Sequence, residues 1–188
     1  MSQKKCSLIP ACVCALALLT HGCIIVEKQP DSSEKSSTGS DSAADERWTA
    51  GMVAAGHATN SVATLAAVRT ARHTEFERVV FEFGGAELPN YKVEYHDTPL
   101  SACVSGEAMS TPGDIWLEIR FEPAAAHDEY GQVTAPPPSL ASTLARIRDL
   151  ELACDSNSIL SWVVGVTTPS RFRVLELKTP TRLVVDVR

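Results

Sequence analysis

The chain has 188 residues, 44% of them apolar, and a formal net charge of −6. That length suits one globular domain with appendages, and the apolar share is ordinary for a globular protein. From Val62 to Arg188 there are 12 bases against 17 acids, a net −5, which argues against a general nucleic-acid binder, because such binding rests on neutralising phosphates.

The first residues, MSQKKCSLIPACVCALALLTHGC, have the layout of an export signal. Lys4 and Lys5 give a charged start, and Ala11 to Leu19 is an apolar run too short for a comfortable membrane span. Gly22-Cys23 then closes the segment in a way that resembles the lipobox of bacterial lipoproteins. That resemblance implies a diacylated Cys23 at the head of the mature chain, although Thr20 and His21 depart from the usual lipobox residues. An uncleaved anchor running on through Ile24, Ile25 and Val26 and a plain secreted protein are the other readings. Residues 24–61 form a second segment, the tether and its lead-in. Glu27 to Arg47 is rich in Ser, Asp and Glu, a composition that cannot bury enough surface to offset chain entropy. As a flexible coil, such a tether spans about 25–30 Å. Trp48 to Asn60 is expected to dock loosely.

The folded domain is placed at residues 62–188, where apolar residues recur with period two. VATLAAVRTA opens it. In FERVVFEF, Val79, Phe81 and Phe83 point one way and Arg78, Val80 and Glu82 the other. In YKVEY, Tyr91, Val93 and Tyr95 share a face; in DIWLEIRFEP, Ile115, Leu117, Ile119 and Phe121 do. Ala124 to Pro138 reads as a long loop broken by Gly131 and three prolines. STLARIRDLELACD is ambiguous: Leu144, Ile147 and Leu150 have helical spacing, whereas Leu150 and Leu152 alternate. A strand from about Ala145 to Ala153 is the preferred reading, with a short helix as the alternative. SILSWVVGV is a near-continuous apolar run suited to a central strand. FRVLELK changes phase between Val174 and Leu175, which predicts a bulge or sharp twist there. RLVVDVR again places Leu183, Val185 and Val187 on one face.

Strands that are apolar on one face must bury it, and a second sheet is the economical cover. The predicted fold is therefore all-β: a β-sandwich of about eight strands in two related halves. Arg78-Val79-Val80-Phe81-Glu82-Phe83 and Arg182-Leu183-Val184-Val185-Asp186-Val187 repeat one pattern and read as equivalent strands of those halves. Their triads should share the core, and their charges, too far apart to pair along one strand, could pair across strands.

Three of the six cysteines (Cys6, Cys12, Cys14) lie in the signal, and Cys23 is the lipid site. Cys103 and Cys154 remain, two thiols in an exported domain, where one disulfide is expected and two separate buried thiols are the alternative. Their spacing excludes a compact zinc motif.

No nucleophile elbow, zinc-protease helix motif, phosphate loop or C-x-x-C occurs in the folded part. No catalytic residue, cofactor or metal is therefore expected. His127-Asp128-Glu129 reads as a solvated loop, and His73 as a loop hydrogen bond. Glu118 and Glu122 are about 13 Å apart along a strand, too far for a glycosidase pair. Trp116 and Arg120 are the candidate ligand-binding residues. Alternation puts both on the polar face, where an indole can stack on a sugar and an Arg can pair with a peptide carboxylate. The competing reading has a loop covering Trp116 in a second minor core.

VRTARHTEFERVVFEF, LPNYKVEY, WVVGV and FRVLELKTPTRLVVDVR resemble the AMIN-like domain of exported bacterial proteins and lipoproteins. That domain is similar to the AMIN domain of cell-wall amidases and pilus secretins. The resemblance runs from about Val62 to Arg188. It implies a two-half sandwich, a non-catalytic module, and a role in holding an envelope protein at peptidoglycan. The expected protein is an exported, membrane-anchored lipoprotein of the bacterial envelope. Its expected partner is peptidoglycan or an envelope protein, with no nucleic acid. A structural or docking subunit without glycan affinity is the alternative.

Overall fold

The computed structural model describes residues 48–59, 61–135 and 137–188. Cys23, the signal and the Ser-rich tether lie outside them. The described residues form eleven strands: β1 (Val53–Ala55), β2 (Ala63–Arg72), β3 (Glu77–Phe83), β4 (Asn90–His96), β5 (Ile115–Glu122), β6 (Ala124–Ala125), β7 (Ser139–Ala141), β8 (Ile147–Ser156), β9 (Ile159–Val166), β10 (Phe172–Lys178) and β11 (Thr181–Val187). They contain no helix, and so none long and apolar enough to cross a membrane. One sheet has six strands in the order β1-β4-β5-β9-β8-β7, and the other five in the order β10-β11-β3-β2-β6. All neighbours are antiparallel except β2 and β6.

Period-two patterning builds the core. Every second residue of β3 and of β5 is buried, as expected where only one face of a strand meets an apolar layer. Phe81, Ile119 and Val185 share one interior with Leu117, Trp162 and Leu183. Phe121 lies between the two sheets, edge-on to Phe81 at 5.2 Å and to Phe83 at 4.9 Å between ring centroids. Each such buried side chain stabilises by about 1.5–3 kcal/mol relative to exposure.

The repeated phrase has a direct geometric meaning. Its two copies are β3 and β11, adjacent and antiparallel, with Asp186 opposite Arg78, Val185 opposite Val79 and Arg182 opposite Glu82. Running the same base-apolar-acid order in opposite directions sets a base across from an acid at both ends. At one end Asp186 accepts from Arg78 Nε at 2.6 Å and Nη2 at 2.9 Å, and from Arg173 Nε of β10 at 2.9 Å. At the other end Glu82 takes Arg69 of β2 instead, at 2.5 Å.

Four expectations change. The strand number rises from about eight to eleven because β1, β6 and β7 have only two or three residues, too few for alternation to register. The lead-in is not loosely docked. Trp48 is buried, Thr49 exchanges backbone hydrogen bonds of 2.8 and 2.7 Å with Phe172, and β1 pairs with β4. Of the bulge or sharp twist predicted near Val174-Leu175, the bulge is absent: β10 pairs with β11 in unbroken register from Phe172 to Lys178. The phase change arises because an inward position of this edge strand holds Glu176, which accepts from the Tyr91 hydroxyl at 2.9 Å. The ambiguous stretch is strand β8, and it starts at Ile147 rather than Ala145. A register shift between Ile147 and Asp149 brings Ile147 and Leu150 onto the same buried face at a spacing of three, which imitates a helix.

Glu77 ties the sheets together at the start of β3. Its buried carboxylate accepts from the backbone N–H groups of Ala145, Arg146 and Ile147 at 2.7, 2.9 and 2.9 Å. Three convergent donors satisfy a charge that would otherwise be costly to bury.

Candidate ligand-binding face

The outer face of the six-stranded sheet carries the side chains that the core rejects. β4 contributes Lys92, Glu94 and His96, and β5 contributes Trp116, Glu118 and Arg120. In register, His96 stands opposite Trp116, Glu94 opposite Glu118, and Lys92 opposite Arg120. β9 adds Ser161 beside Arg120, Val163 beside Glu118 and Gly165 beside Trp116.

One half of this face is covered. Cys103 and Cys154 form a disulfide, with S–S at 2.12 Å and Cα–Cα at 5.2 Å. With the backbone bond from Cys103 N–H to Ala153 O at 2.9 Å, it fastens the connection between β4 and β5 onto β8. Met109, Ala153 and Val163 form a second small core there, with Leu100 and Trp116 packed against it. Trp116 donates its indole N–H to Thr111 O at 2.9 Å, and Thr111 Oγ1 donates to Glu151 at 2.5 Å. The polar edge of the indole is thus occupied from within the fold. Gly165 permits this arrangement: a Cβ there would lie 1.9 Å from Pro112 O, so the connection crosses β9 where no side chain fits.

The other half is open. Lys92 and Arg120, directly opposed, line a shallow groove of about 160 Å³ with Asn90, Tyr91 and Glu122. Arg120 Nη2 reaches Glu122 at 3.3 Å, and Lys92 pairs with Glu94. Exposed pairs of this kind add about 1 kcal/mol or less, so both bases remain available to an incoming anion. Trp116 and Arg120 are therefore not one site. Four residues of strand, about 13 Å, separate them, and they occupy different halves of the face.

Between the halves lies a cluster that periodicity alone does not reveal. His96 Nε2 is 3.1 Å from Glu118 Oε2 and 3.7 Å from Glu94 Oε1, and Ser161 Oγ donates to Glu118 Oε1 at 2.6 Å. Elsewhere, His127 Nδ1 meets Asp155 at 2.9 Å, while Asp128 accepts from the backbone N–H of Tyr130 and Gln132 and shapes its own loop. His73 N–H donates to Phe76 O at 2.9 Å, and its ring stacks on Phe76 at 4.4 Å.

A larger cleft of about 360 Å³ opens at the edge beside β10, lined by His57, Leu88, Glu176 and Lys178 among others. Glu176 is held by His57 Nε2 at 3.2 Å and by the Tyr91 hydroxyl at 2.9 Å. Burial, reinforced by that hydrogen bond, raises the Tyr91 phenol far above its ordinary value. A phenol held protonated against a carboxylate is a structural clasp, not a poised acid. His57 lies outside the domain boundary expected from sequence, and Glu176 sat in the phase change, so neither stood out there.

A family model for the AMIN-like domain matches residues 63–188. No curated protein and no solved structure matches the chain.

Proposed function

Because the chain belongs to the AMIN-like domain family, we propose that its sandwich is a non-catalytic binding module of the bacterial envelope that takes peptidoglycan through the open half of the six-stranded sheet. The family carries the coarser reading, a peptidoglycan- or envelope-related binding role. One observation supports the finer one: Lys92 and Arg120 are direct cross-strand neighbours in a groove. Each base is paired with an acid of its own strand, Glu94 and Glu122, but exposed pairs of this kind are weak, so a peptide-stem carboxylate can take their place. A planar guanidinium pairs with a carboxylate through two parallel hydrogen bonds. Lipidation at Cys23 would anchor the chain, since durable attachment takes more than one acyl chain. The segment after Cys23 would give the domain reach from the membrane.

The test is co-sedimentation of the full chain, in mild detergent, with purified sacculi. The wild-type chain is expected in the pellet, with R120A bound about tenfold more weakly, a loss of about 1.4 kcal/mol. If the chain stays in the supernatant while crosslinking in intact cells captures a protein partner, the glycan reading fails and the docking-subunit reading replaces it. Mass analysis of the membrane fraction tests the anchor: a chain without acyl mass on Cys23 removes it.

A further inference from the structure

The geometry points to a divalent transition-metal site, suited to Zn²⁺, formed by Glu94, His96 and Glu118. The three ligating atoms lie within 4.8 Å of one another. In a tetrahedral zinc site with bonds near 2.0–2.1 Å, ligand atoms are about 3.3 Å apart. The His96 Nε2 distances of 3.1 Å to Glu118 and 3.7 Å to Glu94 bracket that spacing. The backbone fixes the set. Glu94 and His96 are two apart on β4 and so share a face, and Glu118 is the register partner of Glu94 on β5.

Two further observations separate this cluster from a patch of surface acids. First, one imidazole nitrogen faces two carboxylates. The nearer one, Glu118, shares its hydrogen bond, and Glu94 is met by Lys92, so a cation bound by all three would replace the Lys92 contact with a direct bond to Glu94. Second, Ser161 Oγ holds the far oxygen of Glu118 at 2.6 Å and leaves Oε2 turned to His96. This is the outer-shell hydrogen bonding that orients ligating carboxylates. An imidazole with two carboxylates favours zinc over magnesium or calcium, which prefer all-oxygen sets. Three protein ligands leave a fourth position for water or for an oxygen of a bound molecule. Lys92, which pairs with Glu94, is the built-in competitor. No ligand motif marks this site in the sequence: His96 and Glu118 are 22 residues apart, and only strand register unites them.

The inference does not depend on sacculus binding. The test is isothermal titration of Zn²⁺ into the tag-free full chain, with Cys6, Cys12, Cys14 and Cys23 replaced by Ser so that no N-terminal thiol competes. One equivalent per chain is expected. H96Q and E118Q should each weaken binding at least tenfold, and K92Q should tighten it several-fold. H127Q, on the far loop, should match the parent. Circular dichroism checks that each variant keeps its sheet signal. The inference is overturned if the parent takes up no zinc, if a correctly folded H96Q binds as the parent does, or if K92Q binds more weakly.

Discussion

On the five-stranded sheet, the outward-facing Asp186 is fully buried beneath Arg78 and Arg173. Those guanidinium groups are themselves roofed by rings. Arg173 lies 4.6 Å from the Trp48 ring centre and 5.0 Å from that of Phe76, and Arg188 lies 4.3 Å from Trp48. On the six-stranded sheet, the equivalent polar positions are only half roofed, by a disulfide-fastened connection over Trp116, and Lys92, Glu94, His96 and Arg120 keep contact with solvent. Both faces use charged residues on alternate strand positions. What differs is the cover. Charges closed around one fully buried carboxylate hold the fold together, whereas the more exposed Lys92, Arg120 and His96 can exchange their partners for a ligand.

This contrast is open to attack from either side. The largest effect is expected at Asp186, because removing one member of a buried charge cluster leaves the others uncompensated, typically at 3–5 kcal/mol. D186A should lower the urea midpoint accordingly. A loss within about 0.5 kcal/mol, the range usual for surface substitutions, would put the two faces on the same footing. G165A should cost less, about 1–3 kcal/mol, as expected for overpacking, because its new Cβ meets Pro112 O. Its signature is local: the Trp116 indole N–H should lose its protection from hydrogen exchange while core amides keep theirs. Unchanged Trp116 protection would show that the cover does not rest on Gly165.

The smallest effect concerns the layer between the faces. Burial against Phe172 raises the Tyr95 phenol to about 12, against an ordinary value near 10. The folded state therefore favours the protonated form. The contribution is complete below pH 10 and is lost as the pH climbs from about 10 to about 12. Y95F should flatten the fall in stability across that window, as followed by urea denaturation at fixed pH. Equal slopes for Y95F and the parent would remove Tyr95 from the account.

The core was legible in the sequence because Val79, Phe81 and Phe83, or Leu117, Ile119 and Phe121, alternate strictly, and alternation is a local property. Trp48 and β1 were not, because three-residue pairings leave no period. The candidate face was half legible. Alternation put Trp116 and Arg120 on the polar side, as observed, and the cover over Trp116 was one of the two readings held open. What alternation cannot give is register. Glu94 meets Glu118 only because β4 and β5 pair across the connection that carries Cys103, and no local pattern encodes that partnership. Glu77 shows the same limit: its three donors come from residues 145–147, far along the chain.

The pairing of β3 with β11 also bears on how the chain assembles as it emerges. Roughly a hundred residues are made after β3 before its central neighbour exists, a separation that slows folding through the cost of closing so long a loop. Until then one edge of β3 offers unpaired backbone amides to any other extended chain nearby. Association with other extended chains would be most hazardous during that interval.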